Sequence, residues 1–442
     1  MWIPSLKPDN NFGYIFEIDY YIPKEKHDLF KNYPLGPERK QVNGKQLSKY
    51  QRGILREQFL TDFRDENLTN DEVEDKINSY SSSEKLILDL EPKQKYIIHY
   101  RTLQLYLQLG IEMTHIHRIL RFKQQPWLAP YIQANTEMRR KATNEFEKDF
   151  FKLMNNAFFG KTMENVRKRR LIDLVQTPEQ LKKLTAQPTF KSITVFHDEL
   201  SAVERMKPRI LLDKPIYIGL CVLEMSKWLM YDFYYNVLQN IFTPDSMQLL
   251  FTDTDSLCIS IEGYNNVYQT IYKSNISDGQ PAINCFDLSG YPMDHIIFNG
   301  LNKFDIKRLK LMNKKVPGKM KDELNGDSLL EFVGLRAKAY AYRKLSGNII
   351  SEEKKLKGIQ KCVVKKNVNF DQYCSSLFMK TTHMAATCSL RSHRHEIRTL
   401  AINKVATGPY DDKRYLLDDG INSLPYGHYL LQRVQTPNKE IT

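Results

Sequence analysis

Residues 251–257 read Phe-Thr-Asp-Thr-Asp-Ser-Leu and place two carboxylates, Asp253 and Asp255, two positions apart in a short polar segment. An apolar run over 247–250 precedes it and an alternating run over 257–261 follows, so the pattern predicts two strands joined by a tight turn. On extended backbone, residues two apart share a face, which would aim both carboxylates the same way. Clustered carboxylate oxygens on a rigid turn suit a hard divalent cation. Mg²⁺ held in this way takes substrate phosphates as further ligands, and the chemistry this suggests is phosphoryl transfer. Asp, Thr and Ser also form ordinary turns by hydrogen-bonding their own backbone, so the segment alone supports two readings. A calcium loop is a weaker rival, because the acid spacing does not continue into the Gly and distal Glu of an EF-hand.

A second constellation separates these readings. Residues 152–160, Lys-Leu-Met-Asn-Asn-Ala-Phe-Phe-Gly, fall in the longest helical pattern of the chain, expected from Asn135 to about Arg170 with an N-cap at the Asn-Thr-Glu entry. Phe146, Phe150, Leu153 and Ala157 form an apolar stripe on it. Lys148, Lys152, Asn156 and Gly160 recur every four residues on another face, with Phe159 beside them, and Arg140 lies further back on that side if the helix extends so far. A cation, then an amide one turn on, then an aromatic ring and a glycine can grip a triphosphate and leave room for a base pair. Without the acids of the turn, the same face would read as an amphipathic surface helix.

Taken together, these motifs resemble family B DNA polymerases of the protein-primed branch, found in phages, linear plasmids, adenoviruses and, closest here, Maverick/Polinton transposons. That family's motif B, Lys-x-x-x-Asn-Ser-x-Tyr-Gly, is matched by Lys152, Asn156, Ala157, Phe159 and Gly160. Its motif C, Tyr-x-Asp-Thr-Asp-Ser, is matched by Phe251, Asp253, Thr254, Asp255 and Ser256. A Lys-x-Tyr element is matched by Lys338 and Tyr340. Three motifs in family order are far more specific than any one of them. Further similarity runs through YRTLQLYLQLG, RILRFKQQPWL, GLRAKAYAYR and DDKRYLLDDGINSLPYGHY, nearly the whole chain.

The resemblance implies roles. Asp253 would be a catalytic metal ligand with Asp255 as a supporting acid, Mg²⁺ the cofactor, and Lys152 with Arg140 the cations on an incoming dNTP. Asn156, Phe159 and Gly160 would line the nascent base pair, and Lys338 and Tyr340 would meet the primer strand of a primer-template DNA. Ala157 and Phe159 lack the hydroxyls of the family's Ser and Tyr, which implies altered fidelity sooner than loss of fold. The family's motif A, Asp-x-x-x-Leu-Tyr, should come before the strand 14–21. Residues 1–13 do not contain it, and the exonuclease domain has no counterpart either. Asp19, inside that strand, is not a substitute. The expectation is therefore the C-terminal polymerase portion, weakly active or inactive alone; the alternative is a remnant that binds DNA or single-stranded nucleic acid without catalysis, or a protein-interaction role. Adjacent acids, as in a reverse transcriptase, are excluded by Thr254.

Composition agrees with a nucleic-acid partner. The chain has 442 residues, a net charge of +13 and 41% hydrophobic content, enough for two or three domains and an anionic ligand. Cations crowd 303–321 and 354–366, either to track phosphates or simply to face water. Six scattered cysteines without Cys-x-x-Cys spacing read as reduced thiols, and no run is long and apolar enough to span a membrane, which together suggest a soluble intracellular protein with no membrane partner. His115 and His117 read as packed or surface residues sooner than metal ligands.

The expected fold class is α+β, with the right-hand arrangement that the resemblance implies: an antiparallel palm sheet, helical fingers and a small thumb. Residues 1–136 would hold a palm strand over 14–21 and an irregular insertion over 31–91, where relatives contact the priming protein. Fingers would span 137–170, a small β insertion 171–214, palm with motif C and Lys-x-Tyr 215–345, and thumb 346–442. The apolar 215–223 leads into a helix to about 242 whose Met230, Tyr234, Val237 and Ile241 are expected in the core. Residues 336–343 read as one strand with Ala337, Ala339 and Ala341 on one face.

Overall fold

The computed structural model describes residues 3–64, 68–393 and 396–431. It is 38% helix and 29% strand, and its sheets are antiparallel apart from the short pair Phe286–Asp287 with Met320–Lys321, the composition of an α+β chain. The described residues form two units. One contains the chain up to Trp127, Glu224–Ala385 and the residues from Val405 on; the other contains Leu128–Leu223 and Ala386–Lys404.

The first unit is built on the strand Phe12–Tyr21, which pairs antiparallel with Lys93–His99 on one side and Glu112–Lys123 on the other. Alternation sends Phe16, Ile18 and Tyr20 into the main core, while Glu17 and Asp19 stay on the opposite, half-open face. Helix Tyr100–Leu109 covers the core face with Leu103, Leu105 and Tyr106, and Gly110 ends it in a left-handed cap at φ +100°. The helix Ile216–Asp232 runs on as a π-helical segment, Phe233–Leu238, and a last turn, Gln239–Ile241. Met230, Tyr234, Val237 and Ile241 are buried as their spacing predicts, and the wider π turn buries Phe233, Tyr235 and Leu238 as well. The hydroxyls of Tyr231 and Tyr235 donate to the carbonyls of Pro34 and Tyr33 at 2.8 and 2.5 Å, tying the loop there to this helix.

Residues 31–91 are not irregular. They contain helices Lys49–Asp62 and Asn70–Ser79 and a small antiparallel pair, Glu38–Lys40 with Lys85–Ile87. Both helices start with capping boxes, Ser48 with Gln51 and Thr69 with Glu72. Their apolar partners come from the far end of the chain: Leu55, Val73 and Ile77 pack with Tyr415, Tyr426 and Leu431, so the local pattern alone shows little sustained periodicity.

A three-stranded sheet, Ser328–Arg336, Ala339–Ser346 and Ile349–Leu356, packs with helices Lys361–Asn367 and Phe370–Phe378 around Val333, Ala341, Phe370 and Tyr373. The expected single strand over 336–343 is instead a strand end, a two-residue turn at Ala337 and Lys338, and a new strand; Lys338 has φ +61°, which reverses the chain.

In the second unit the expected helix over 135–170 is two helices, Ala129–Lys141 and Glu145–Thr162. Ala142 is extended and the Asn144 side chain accepts from Glu147 N–H at 2.8 Å, so Asn144, not Asn135, is the N-cap. The strands expected at Leu171–Val175 and near 190–196 are present, with a third, Leu200–Arg205, between them and a helix, Pro178–Thr185.

Candidate active site

Strands Met247–Thr252 and Leu257–Ile261 pair antiparallel, with Leu257 opposite Thr252, and form the hairpin expected around Asp253. Met247 is in the core of the first unit and Leu249, Leu257, Ile259 and Ile261 pack against it, so the base of the hairpin is rigid. Asp253 N–H donates to Ser256 O at 3.1 Å, while Asp255 and Ser256 N–H groups donate to Asp253 O at 2.7 and 3.2 Å. The Ser256 hydroxyl adds a bond to the same carbonyl at 3.2 Å. Thr254 reverses the chain at φ +60°, an unusual conformation for a β-branched residue. The strand alternation invoked to align the two carboxylates therefore does not apply, since both acids lie in the turn and not in a strand. Asp253 is half-buried and Asp255 is exposed.

The structure brings the Lys-x-Tyr element onto this hairpin. Lys338 Nζ lies 3.1 Å from Asp253 Oδ1. The Tyr340 ring stacks on Phe251, with centroids 4.2 Å apart and planes at 23°, and Phe332 stacks on Phe251 from 5.6 Å at 13°. Burial first, then the neighbouring Tyr342 and the Asp253 charge, pushes the Tyr340 phenol above its ordinary range. Burial alone pushes the Cys258 thiol up to about 11, which keeps it a neutral packing group beside the turn. Phe332 was not identified from the sequence, and its signal is only one aromatic in an alternating strand.

The other motif residues belong to the second unit. Lys152, Asn156 and Gly160 are exposed along Glu145–Thr162, and Phe159 is half-buried with its carbonyl accepting the Thr162 hydroxyl at 2.8 Å. A Cβ added at Gly160 meets nothing within 4 Å, so the fold itself does not require glycine there. Lys148 pairs with Glu145 at 2.6 Å. Arg140 is not on this helix: it sits in the preceding one, 3.6 Å from Glu137, because the chain breaks at Ala142. The stripe Phe146, Phe150 and Leu153 is uncovered, with Phe146 78% exposed.

The remaining candidates are engaged elsewhere. His117 Nε2 is 2.8 Å from Asp19 Oδ1, which also accepts Lys95 N–H at 2.6 Å, and the His115 ring is 4.5 Å from that of His117. The Lys95 backbone bond, then the His117 bond, holds Asp19 below its ordinary range. In the basic run, Lys310 donates to Tyr291 O and Lys319 to Asn284 O at 2.7 Å, whereas Lys303, Lys307 and Arg308 stay exposed on helix Lys303–Met312. All six cysteines are free thiols.

Among the described residues no three His, Cys, Asp or Glu side chains are grouped to hold a metal ion. The arrangement does not fit the implied pair of Mg²⁺ ions, since one oxygen of Asp253 already faces an ammonium and Asp255 is the only acid that accompanies it in the turn. Among the described residues no helix is long and apolar enough to cross a membrane. Comparison with protein-family models, with curated proteins and with solved structures finds no match to this chain.

Proposed function

We propose that this chain is a DNA-directed DNA polymerase of the protein-primed type, acting on primer-template DNA and dNTPs. In this reading the hairpin at Asp253 and the sheet beneath it are palm, the helix Glu145–Thr162 belongs to the fingers, and the region after Ser346 contributes a thumb. The reaction is attack of a primer 3′-hydroxyl on the α-phosphate of a dNTP, with pyrophosphate leaving. Lys152 meets the triphosphate, Asn156, Phe159 and Gly160 line the base pair, and Lys338 with Tyr340 meets the primer strand. The exposed cations of helix Lys303–Met312 follow phosphates without reading sequence. In this reading residues 31–91 meet a priming protein.

The observation that carries the reading is the joining of two motifs far apart in sequence: Lys338 on Asp253 and Tyr340 on Phe251. Packing of this kind is expected if motif C and Lys-x-Tyr serve one site.

Titration of labelled primer-template with residues 1–442 tests it. The expected result is binding that weakens steeply with salt and tightens when the next complementary dNTP is added, but not with the other three. Lys152→Ala should remove the dNTP increment and leave DNA binding largely intact. An equal response to all four dNTPs, or none, would overturn the polymerase reading. Primer extension by residues 1–442 is expected to be weak or absent, because an ammonium already faces Asp253 and Asp255 is the one acid beside it in the turn. The ammonium held against Asp253 favours a second reading, a DNA-binding remnant, for which binding persists in Asp253→Ala and no dNTP matters.

A further inference from the structure

We infer that His27 and His428 form a pH-sensitive clasp, which fastens the segment 425–431 to the short helix His27–Phe30 while both imidazoles are neutral and releases it when they take up protons. The two rings come from distant parts of the chain, lie 5.5 Å apart and are 5% and 0% exposed. Tyr429 N–H donates to His27 Nδ1 at 3.0 Å, and His27 Nε2–H donates to the carbonyl of Ile22 at 3.1 Å. Leu430 N–H donates to His428 Nδ1 at 3.3 Å. These bonds assign the Nε2–H tautomer to both rings, with each Nδ1 lone pair committed to a backbone donor. A proton added at Nδ1 turns that acceptor into a second donor, so the bond is lost and one N–H is left facing another.

The surroundings give an imidazolium little support. The titratable and charged groups that face the pair are Lys24, Glu25, Asp28 and Lys31 around the short helix, with Arg414 and Tyr429 from the C-terminal segment. Asp28 has Oδ1 3.5 Å from His428 Nε2, and its Oδ2 accepts the Tyr429 hydroxyl at 3.1 Å. Its side chain is 61% exposed, so water screens its charge. A second imidazolium 5.5 Å from the first would oppose it. Burial, more than any of these charges, holds both histidines below the ordinary imidazole range. A released segment, with ordinary imidazoles, takes up the protons more readily. The clasp is therefore fully present above about pH 6.5 and is lost as pH falls through the lowered folded values. Tyr426 and Leu431, in the segment it holds, pack on Leu55, Val73 and Ile77, so release uncovers part of the apolar face of helices Lys49–Asp62 and Asn70–Ser79. The clasp shares no residue with the hairpin at Asp253 and stands whether or not the chain acts on DNA.

Hydrogen exchange of residues 1–442, with protection corrected for the intrinsic effect of pH, is the test. Between about pH 7.5 and about pH 5 the amides of 426–431 are expected to lose roughly tenfold or more in protection, while strand Phe12–Tyr21 keeps its own. In the double variant of His27→Asn with His428→Asn, amide oxygens stand near the two Nδ1 positions and do not titrate, so protection of 426–431 should stay level over that range. Protection of 426–431 that holds at about pH 5 in the unaltered chain, or that falls equally in the variant, overturns the clasp. Should the double variant fold poorly, imidazole NMR shifts of the unaltered chain decide. Both rings are expected as the Nε2–H tautomer at about pH 7.5 and should protonate in step with the loss of protection. Protonation of both rings with 426–431 still protected overturns the clasp as well.

Discussion

Thr254 and Gly160 show how single positions separate fold from function. Thr254 holds φ +60° between the two acids, where a β-branched side chain is strained and glycine is not. Thr254→Gly is therefore expected to raise stability by about 1 kcal/mol in urea denaturation, with no loss of the Phe251 and Tyr340 stack. Gly160 presents the opposite case, an interior helical glycine beside open space. Gly160→Ala should stabilise the chain by about 0.5–1 kcal/mol and yet weaken the dNTP-dependent tightening, because a base pair, and not the protein, is proposed to fill that space. Thermal melts and the DNA titration read the two effects separately. The turn that carries the acids was legible in the sequence through its flanking runs, and Lys152 and the Lys-x-Tyr pair were named there through the resemblance. The partnership of Lys338 with Asp253 was not, since nothing in either local pattern says which turns meet.

At the scale of elements, two polar devices hold the first unit's central sheet. Lys93, at the start of its strand, is buried against Asp89 and lies 2.9 Å from Glu38, while Lys40 is 3.0 Å from Asp89. Removing Lys93 leaves the buried Asp89 with Lys40 as its remaining cation, so Lys93→Met is expected to cost about 1–3 kcal/mol, measurable as a lowered urea midpoint. His99 closes the same strand and begins the next helix, its Nδ1 accepting Arg101 N–H at 3.4 Å. Burial, with a smaller contribution from the Arg101 charge, pushes its pKa down to about 4. The unfolded chain, with an ordinary imidazole, takes up this proton more readily. Stability contributed by neutral His99 is thus fully present above about pH 6.5 and is lost progressively as pH falls towards about 4, by up to about 3 kcal/mol. His99→Asn keeps an N-cap acceptor and should flatten that part of the profile in denaturation curves taken between those pH values. The break at Ala142 illustrates what helical periodicity cannot detect: three residues of interruption barely disturb a four-residue repeat, yet they move Arg140 onto another helix.

Over the whole molecule, the first unit joins distant parts of the chain. Gln51, buried in helix Lys49–Asp62, donates to the carbonyls of Asp411 and Arg414 at 2.7 and 2.9 Å, and Lys85 is bonded to Asp412 at 2.6 Å. Deleting the chain from residue 409 onward should therefore expose Leu55 and Ile77 and melt the helix pair over 49–79. Hydrogen exchange should report that loss while the hairpin at Asp253 stays protected. Charge acts at this scale too, because a net +13 favours polyanions wherever the individual cations lie. The sequence by itself determined the hairpin of the acids, the buried helix before it and the strand over 14–21, because turn residues and periodicity act locally. Only the tertiary structure decided that residues 31–91 fold against the C-terminal segment, that Arg140 leaves the Lys152 helix, and that an ammonium answers Asp253. Those outcomes depend on which surfaces meet across the chain, and a pairwise contact between distant segments leaves no periodic trace in either one.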